Sequence, residues 1–332
     1  MNLNLFSKVR KLEKPPYVVD RSRLRRFNSK NTIFNRVRWD TSYEGYMPHG
    51  VVAEDKSEYL RVDFALAQAS RAVQRALGSR GSSSPQIRME QKPCGEKLEV
   101  DDPHEMNEYI KRAARLFGAS LVGICKLNRD WLYQETDVPE IFENVIVMAV
   151  KMDADAIASS PAPLAAAATG VGYSKMAFTL TCMGEFIRNL GYEAIQCGND
   201  TALSIPLAID AGLGELGRNG LLITPQYGPR VRLCKIFTNL LLEPDNPIEF
   251  GVKEFCKKCK LCAENCPAAA ISMDDEPSYE AHNISNNPGA LKWYVNAEKC
   301  HLFWRENGTS CSTCIKACPY NITSTKRDKV TT

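Results

Sequence analysis

Residues 256–267 read CKKCKLCAENCP. Four cysteines stand in a C-x2-C-x2-C-x3-C run closed by a proline, the ligand spacing of bacterial iron–sulfur clusters. A second set follows: Cys300, Cys311, Cys314 and Cys318 with Pro319, spaced C-x10-C-x2-C-x3-CP. In two-cluster ferredoxins the fourth cysteine of each run serves the other cluster. The reason is geometric, since a loop that wraps three corners of a cube leaves in the wrong direction to reach the fourth. The spacing therefore predicts one [4Fe–4S] cluster on Cys256, Cys259, Cys262 and Cys318, and a second on Cys266, Cys300, Cys311 and Cys314. Structural zinc is the competing assignment, but zinc favours separate C-x2-C pairs over one continuous run. Two neighbouring clusters make an electron relay, and a relay implies something buried to be reduced.

The two runs occupy only the last quarter of a 332-residue chain, so most of the molecule serves another purpose. Composition is that of a globular protein, 44% apolar and 24% charged, with a net charge of +3. So small a charge gives no reason to expect nucleic acid or an anionic membrane surface as partner. No apolar run approaches the roughly 18 residues of a membrane span. The thirteen cysteines are odd in number and clustered, which argues for thiolate ligands in a reducing, anaerobic setting rather than for a disulfide framework. RRFNSK (25–30) resembles a twin-arginine export signal, but the polar NTIFNRVRWD follows it where such a signal needs an apolar stretch. The segment reads as surface of the mature fold, with a cytoplasmic or peripheral location expected.

Three parts are expected: a wrapping segment with a helix and linker (1–100), an α/β part (101–245) and the cysteine domain (246–332). PPYVVD and SKNTIFNRVRWD read as extended. Helical apolar spacing runs through 58–77, followed by the linker GSRGSSSPQ (78–86). HEMNEYIKRAARLFG (104–118) is an amphipathic helix with Gly118 as its C-cap. ASLVGICKL, NVIVMAVKMD (144–153), YEAIQCG and RVRLCKIFTNL (230–240) read as strands. SKMAFTLTCMGEFIRNLG and ALSIPLAIDAG read as helices, the former stopping at Gly191. This alternation predicts an α/β sandwich.

Candidate chemistry lies within 160–235. GVGYSKM (170–176) sets Tyr173 among glycines near a helix start, and QCGNDTAL puts Asn199 between a strand and a helix. GLGELGRNGLLITPQYGPRVR is glycine-rich, which lets backbone approach a flat ligand closely. No G-x-G-x-x-G follows a strand, so a nicotinamide-type site is not expected.

Several stretches together resemble the corrinoid-dependent reductive dehalogenases: RFNSKNTIFNRVRWD (26–40), AATGVGYSKM (167–176), residues 190–240, the first cysteine run and KWYVNAEKCHLFWRENGTSCSTCIKACPYN (292–321). The resemblance implies a nitroreductase-like α/β sandwich that binds cobalamin base-off, followed by a ferredoxin-like domain with two [4Fe–4S] clusters. It implies the reaction R–X + 2e⁻ + H⁺ → R–H + X⁻ on a small organohalide. The implied partners are an electron donor (a ferredoxin, a flavodoxin or a quinone-linked membrane protein) and a small membrane anchor. Carried over by position, Tyr173 would be the proton donor, Arg232 the basic residue that stabilises the tyrosinate, and Asn199 a neighbour of the substrate. The chemistry of the residue types agrees. A free phenol titrates near pH 10 and has little drive to donate at neutral pH, whereas a nearby guanidinium favours its anion. Arg230 rivals Arg232, because two residues apart in a strand share a face. With only His49, His104, His282 and His301, and no D-x-H-x-x-G segment, a histidine ligand to cobalt is not expected. Two alternatives remain open. One is an epoxyqueuosine reductase-like enzyme, which would call for a basic tRNA-binding face. The other is a ferredoxin-type electron carrier with an inactive α/β part.

Overall fold

A computed structural model describes residues 8–48, 59–77, 92–94 and 96–321. At its centre is a four-stranded sheet of β1 (Leu121–Lys126), β2 (Asn144–Lys151), β3 (Ala194–Cys197) and β4 (Val231–Thr238), in the order β1-β2-β4-β3. All three pairings are antiparallel. β2 is apolar from Val145 to Val150 because both its faces are covered, and β4 departs from that pattern at Arg232 and Lys235. In β2, Val145, Val147 and Ala149 point to one face, and Ile146, Met148 and Val150 to the other. The first face packs on the helix Ser204–Asp210 through Leu207, Ala208 and Ile209. The second packs on the helices Pro103–Leu116 and Pro163–Asn189, through Met106, Ile110 and Ala114 and through Met176, Leu180, Met183 and Ile187. The expected α/β sandwich is present, built on an antiparallel sheet.

The described helices are α1 (Ile33–Arg36), α2 (Arg61–Ala69), α3 (Ala72–Ala76), α4 (Pro103–Leu116), α5 (Ala154–Ala158), α6 (Pro163–Asn189), α7 (Ser204–Asp210), α8 (Val252–Lys258), α9 (Leu261–Glu264), α10 (Ala297–Asn307) and α11 (Thr313–Lys316). Three expectations need correction. The 58–77 segment is two helices rather than one, broken at Ser70–Arg71. SKNTIFNRVRWD is not extended: it holds a 3-10 turn at Ser29–Asn31 and α1. And α6 begins at Pro163, well before the glycines, so Tyr173 sits in mid-helix. Proline at the first helical position and the following alanine run start that helix. Gly191, with φ +83°, follows its end. The GSRGSSSPQ linker lies outside the described residues.

The N-terminal segment wraps the rest. Arg10–Lys11 pairs antiparallel with Ile248–Glu249. Arg36 bonds Asp40 at 2.7 Å and also Glu298 on α10, and Tyr43 Oη lies 3.0 Å from His301 Nδ1. Among the described residues no helix is long and apolar enough to cross a membrane.

Candidate active site

Strand alternation turns Arg232, Cys234 and Ile236 of β4 toward α6. The Arg232 guanidinium lies 5.2 Å from the ring centre of Tyr173 and donates through Nη2 to Thr169 Oγ1 at 3.1 Å. Its Nε is buried and has no hydrogen-bond partner. Arg230 is engaged elsewhere, donating to Asn321 Oδ1 at 2.8 Å and to the Met152 carbonyl. Of the two rivals, it is Arg232 that faces Tyr173. Asn199, on the loop after β3, donates through Nδ2 to Tyr173 Oη at 2.9 Å. The three residues singled out in the sequence therefore meet at one phenol.

Three further residues, not singled out in the sequence, complete the group. Arg71, at the break between α2 and α3, holds its guanidinium 5.1 Å from the Tyr173 ring. Thr169, one helical turn before Tyr173, takes the Arg232 bond. Lys235 is wholly buried on the opposite face of β4 and donates to Gly198 O at 2.7 Å, Asp200 O at 2.9 Å and Ser204 Oγ at 3.0 Å, fixing the loop that carries Asn199. A buried ammonium is tolerated only when hydrogen-bonded in this way. A charge in an apolar strand pattern was the available signal for Lys235, whereas Arg71 lies far off in sequence and gave none.

The glycines divide by role. A Cβ on Gly172 would lie 2.9 Å from Arg232 Cγ, and one on Gly170 would lie 1.9 Å from Ser70 Oγ. These two are contact points that let β4 and the α2–α3 break reach α6. Cβ atoms at Gly212 and Gly214 would meet the carbonyls of Asn246 and Ile223, at 2.4 and 2.1 Å, so that part of the glycine-rich loop packs on its own chain rather than on a ligand. Gly198 has open space, its nearest neighbour being Asp200 Oδ2 at 3.9 Å. The rest of the loop enters the cysteine domain. Arg218, 1% exposed, donates to Cys256 O at 2.7 and 3.1 Å, to Ser272 O at 2.8 Å and to Asp274 O at 2.7 Å. Asn219 donates to Cys314 O at 3.5 Å.

The eight clustered cysteines fall into two groups. Cys256, Cys259, Cys262 and Cys318 line one cleft with Arg218, Phe255 and Tyr320. Cys314 has Cys300, Cys311 and Cys266 as charge neighbours, and Cys262 of the first group stands close by as well. Burial pushes the free thiols up, Cys256 to about 11 and Cys262, Cys300 and Cys318 to about 12. The second group packs on the α/β part: Cys314 and Ile315 lie against Met152, Ile157 and Ala168, next to Thr169. Cys125, Cys197 and Cys234 are buried in the two sheet cores, apart from both groups.

Residues 255–321 match the family "4Fe-4S double cluster binding domain". A tetrachloroethene reductive dehalogenase of Desulfitobacterium hafniense is 38% identical over 275 residues, covering 68% of this chain and 50% of that protein. One of Sulfurospirillum multivorans is 38% identical over 258 residues, covering 67% of this chain and 51% of that protein. The chain is a homologue of the reductive dehalogenases. It spans about half the length of the curated relatives it matches. As a reductive dehalogenase homologue it also shares their fold. The catabolic reductive dehalogenase NpRdhA in complex with 3-bromo-4-hydroxybenzoic acid superposes with a TM-score of 0.78 at 24% identity, covering 98% of this chain and 46% of that one. A reductive dehalogenase structure described as suggesting a mechanism for B12-dependent dehalogenation gives 0.76 at 25%, covering 97% and 46%.

Proposed function

We propose that the chain performs reductive dehalogenation of a small organohalide, R–X + 2e⁻ + H⁺ → R–H + X⁻, at a base-off cobalamin fed by two [4Fe–4S] clusters. The observation that carries this reading is the convergence on the Tyr173 phenol of Asn199, Arg232 and Arg71, on the side of the sheet where the second cysteine group packs. The residues present fit an added group. The buried Arg232 Nε awaits an acceptor, and Gly198 leaves backbone open beside Asn199. When bound, the corrinoid supplies low-valent cobalt as the reductant of the carbon–halogen bond.

Tyr173 Oη holds the proton to be delivered. Arg232 and Arg71 place positive charge against the ring that carries negative charge once the proton has left. Asn199 orients the phenol oxygen without changing charge, and Lys235 holds the Asn199 loop in place. The second cysteine group packs through Cys314 and Ile315 on Ala168 of α6, the helix that carries Tyr173, and an external protein donor supplies the electrons.

The test is anaerobic reconstitution with iron, sulfide and hydroxocobalamin, then desalting, cobalt quantification and EPR, with tetrachloroethene as the first probe for halide release. One base-off cobalt retained per chain together with chloride release is the expected result. Two intact clusters with no retained cobalt would overturn the enzyme reading and leave an electron carrier.

A further inference from the structure

Ser160 lies in the turn between α5 and α6 and is 2% exposed. Its hydroxyl is 3.1 Å from Thr313 Oγ1 and 3.9 Å from Cys311 Sγ, and it accepts the Ser312 N–H at 2.8 Å. Lys316 Nζ donates to the Ser160 carbonyl at 3.0 Å and fixes the turn. Thr313 Oγ1 stands 3.2 Å from Cys311 Sγ, and the Thr313 amide donates to the same sulfur at 3.4 Å. A free Cys311 thiol can donate to Thr313. Once it is an iron ligand, the sulfur is a thiolate and only accepts. The hydroxyl bond must then reverse, with Thr313 O–H pointing at sulfur and Ser160 O–H left to donate to Thr313 Oγ1 or to the sulfur itself. In the first group, the sulfurs of Cys256 and Cys318 face backbone amides, those of Arg218 and Tyr320. Cys266 receives the backbone amide of Ala270, at 3.4 Å.

Hydrogen bonds to cluster sulfurs stabilise the more negatively charged, reduced state and raise the reduction potential. We propose that Thr313 and Ser160 are positioning residues that set the potential of the cluster on Cys266, Cys300, Cys311 and Cys314. Ser160 belongs to the α/β part, so the cluster nearer Tyr173 takes its tuning from the unit it reduces. The device draws an electron from the first cluster toward the second and leaves the first untouched. This inference rests on the two-cluster reading above.

The experiment is a potentiometric EPR titration, with dithionite as reductant, of the cluster-reconstituted protein without corrinoid. Iron and sulfide are quantified in each variant. Thr313→Val, which keeps the shape and removes the hydroxyl, should lower the second cluster's reduction equilibrium constant several-fold, where tenfold is 59 mV for one electron. Thr313→Ser should restore it, and Ser160→Ala should move it in the same direction as Thr313→Val. The first cluster's midpoint should stay put throughout. An unmoved second midpoint in a fully loaded Thr313→Val protein would overturn the proposal, as would equal movement of both clusters. A native chain that takes up no iron and sulfide would overturn the two-cluster reading along with it.

Discussion

Tyr173 is one residue on a long helix, and its environment separates it from the other tyrosines: an amide on its oxygen and two guanidiniums within about 5 Å of its ring. Tyr173→Phe should keep clusters and corrinoid, as judged by metal content and EPR. It should lose at least about a hundredfold in halide release, the low end of what a positioned general acid contributes; full turnover would remove the phenol from the reaction. Asp210 offers a test of burial instead. It accepts from Tyr17 Oη at 2.7 Å, and burial pushes its carboxyl up to about 6. The folded chain thus holds a proton that the unfolded chain releases near pH 4. The stability tied to that proton is present below about pH 4 and lost as pH rises through 6, in total about 3 kcal/mol. Asp210→Asn, which keeps an acceptor for Tyr17, should raise the melting temperature at pH 8 and leave it little changed at pH 4. Identical melts at pH 8 would mean that the native carboxylate ionises without penalty.

At the scale of elements, the site depends on close approaches. Helix α6 meets β4 at Gly172, and the α2–α3 break meets α6 at Gly170, where Ser174 Oγ donates to Ser70 O at 2.6 Å and accepts from Gln74 N at 3.3 Å. Gly172→Ala puts a methyl 2.9 Å from Arg232 Cγ, the stem of a flexible side chain. The helix should survive, alanine being its best former, while the guanidinium is displaced. Turnover should fall by about tenfold or more with an unchanged melting temperature, since misplacements on the order of 1 Å carry such losses; unaltered turnover would show that the position of Arg232 matters little. Glycines suggest a loop, so the sequence points to a helix start near Tyr173, whereas the helix runs from Pro163 through an alanine run whose Ala168 packs on Ile315 and Cys314.

For the whole molecule, the question is how the chain couples its two parts. Arg218 and Asn219 leave the sheet region to bond the backbones of Cys256 and Cys314, one from each cysteine group. The chain also crosses between groups, with Cys318 placed beside Cys256, Cys259 and Cys262. Cys318→Ser should therefore alter the EPR signal of the cluster on the first run and spare the other. A change confined to the second cluster would overturn the crossed arrangement.

The cysteine spacing, the strand and helix alternation, and the identity of Tyr173, Asn199 and Arg232 as candidates were legible in the sequence. Each rests on local periodicity, on fixed ligand spacing or on a resemblance carried by contiguous residues. Tertiary structure alone decided that Arg232 rather than Arg230 faces the phenol, because Arg230 stands just outside the strand and is spent on Met152 and Asn321. It alone brought Arg71, Lys235 and Ser160 to the sites they serve. Their partners lie about 100, 35 and 150 residues away in the chain, and contacts at such separations are fixed by packing, which no local pattern encodes.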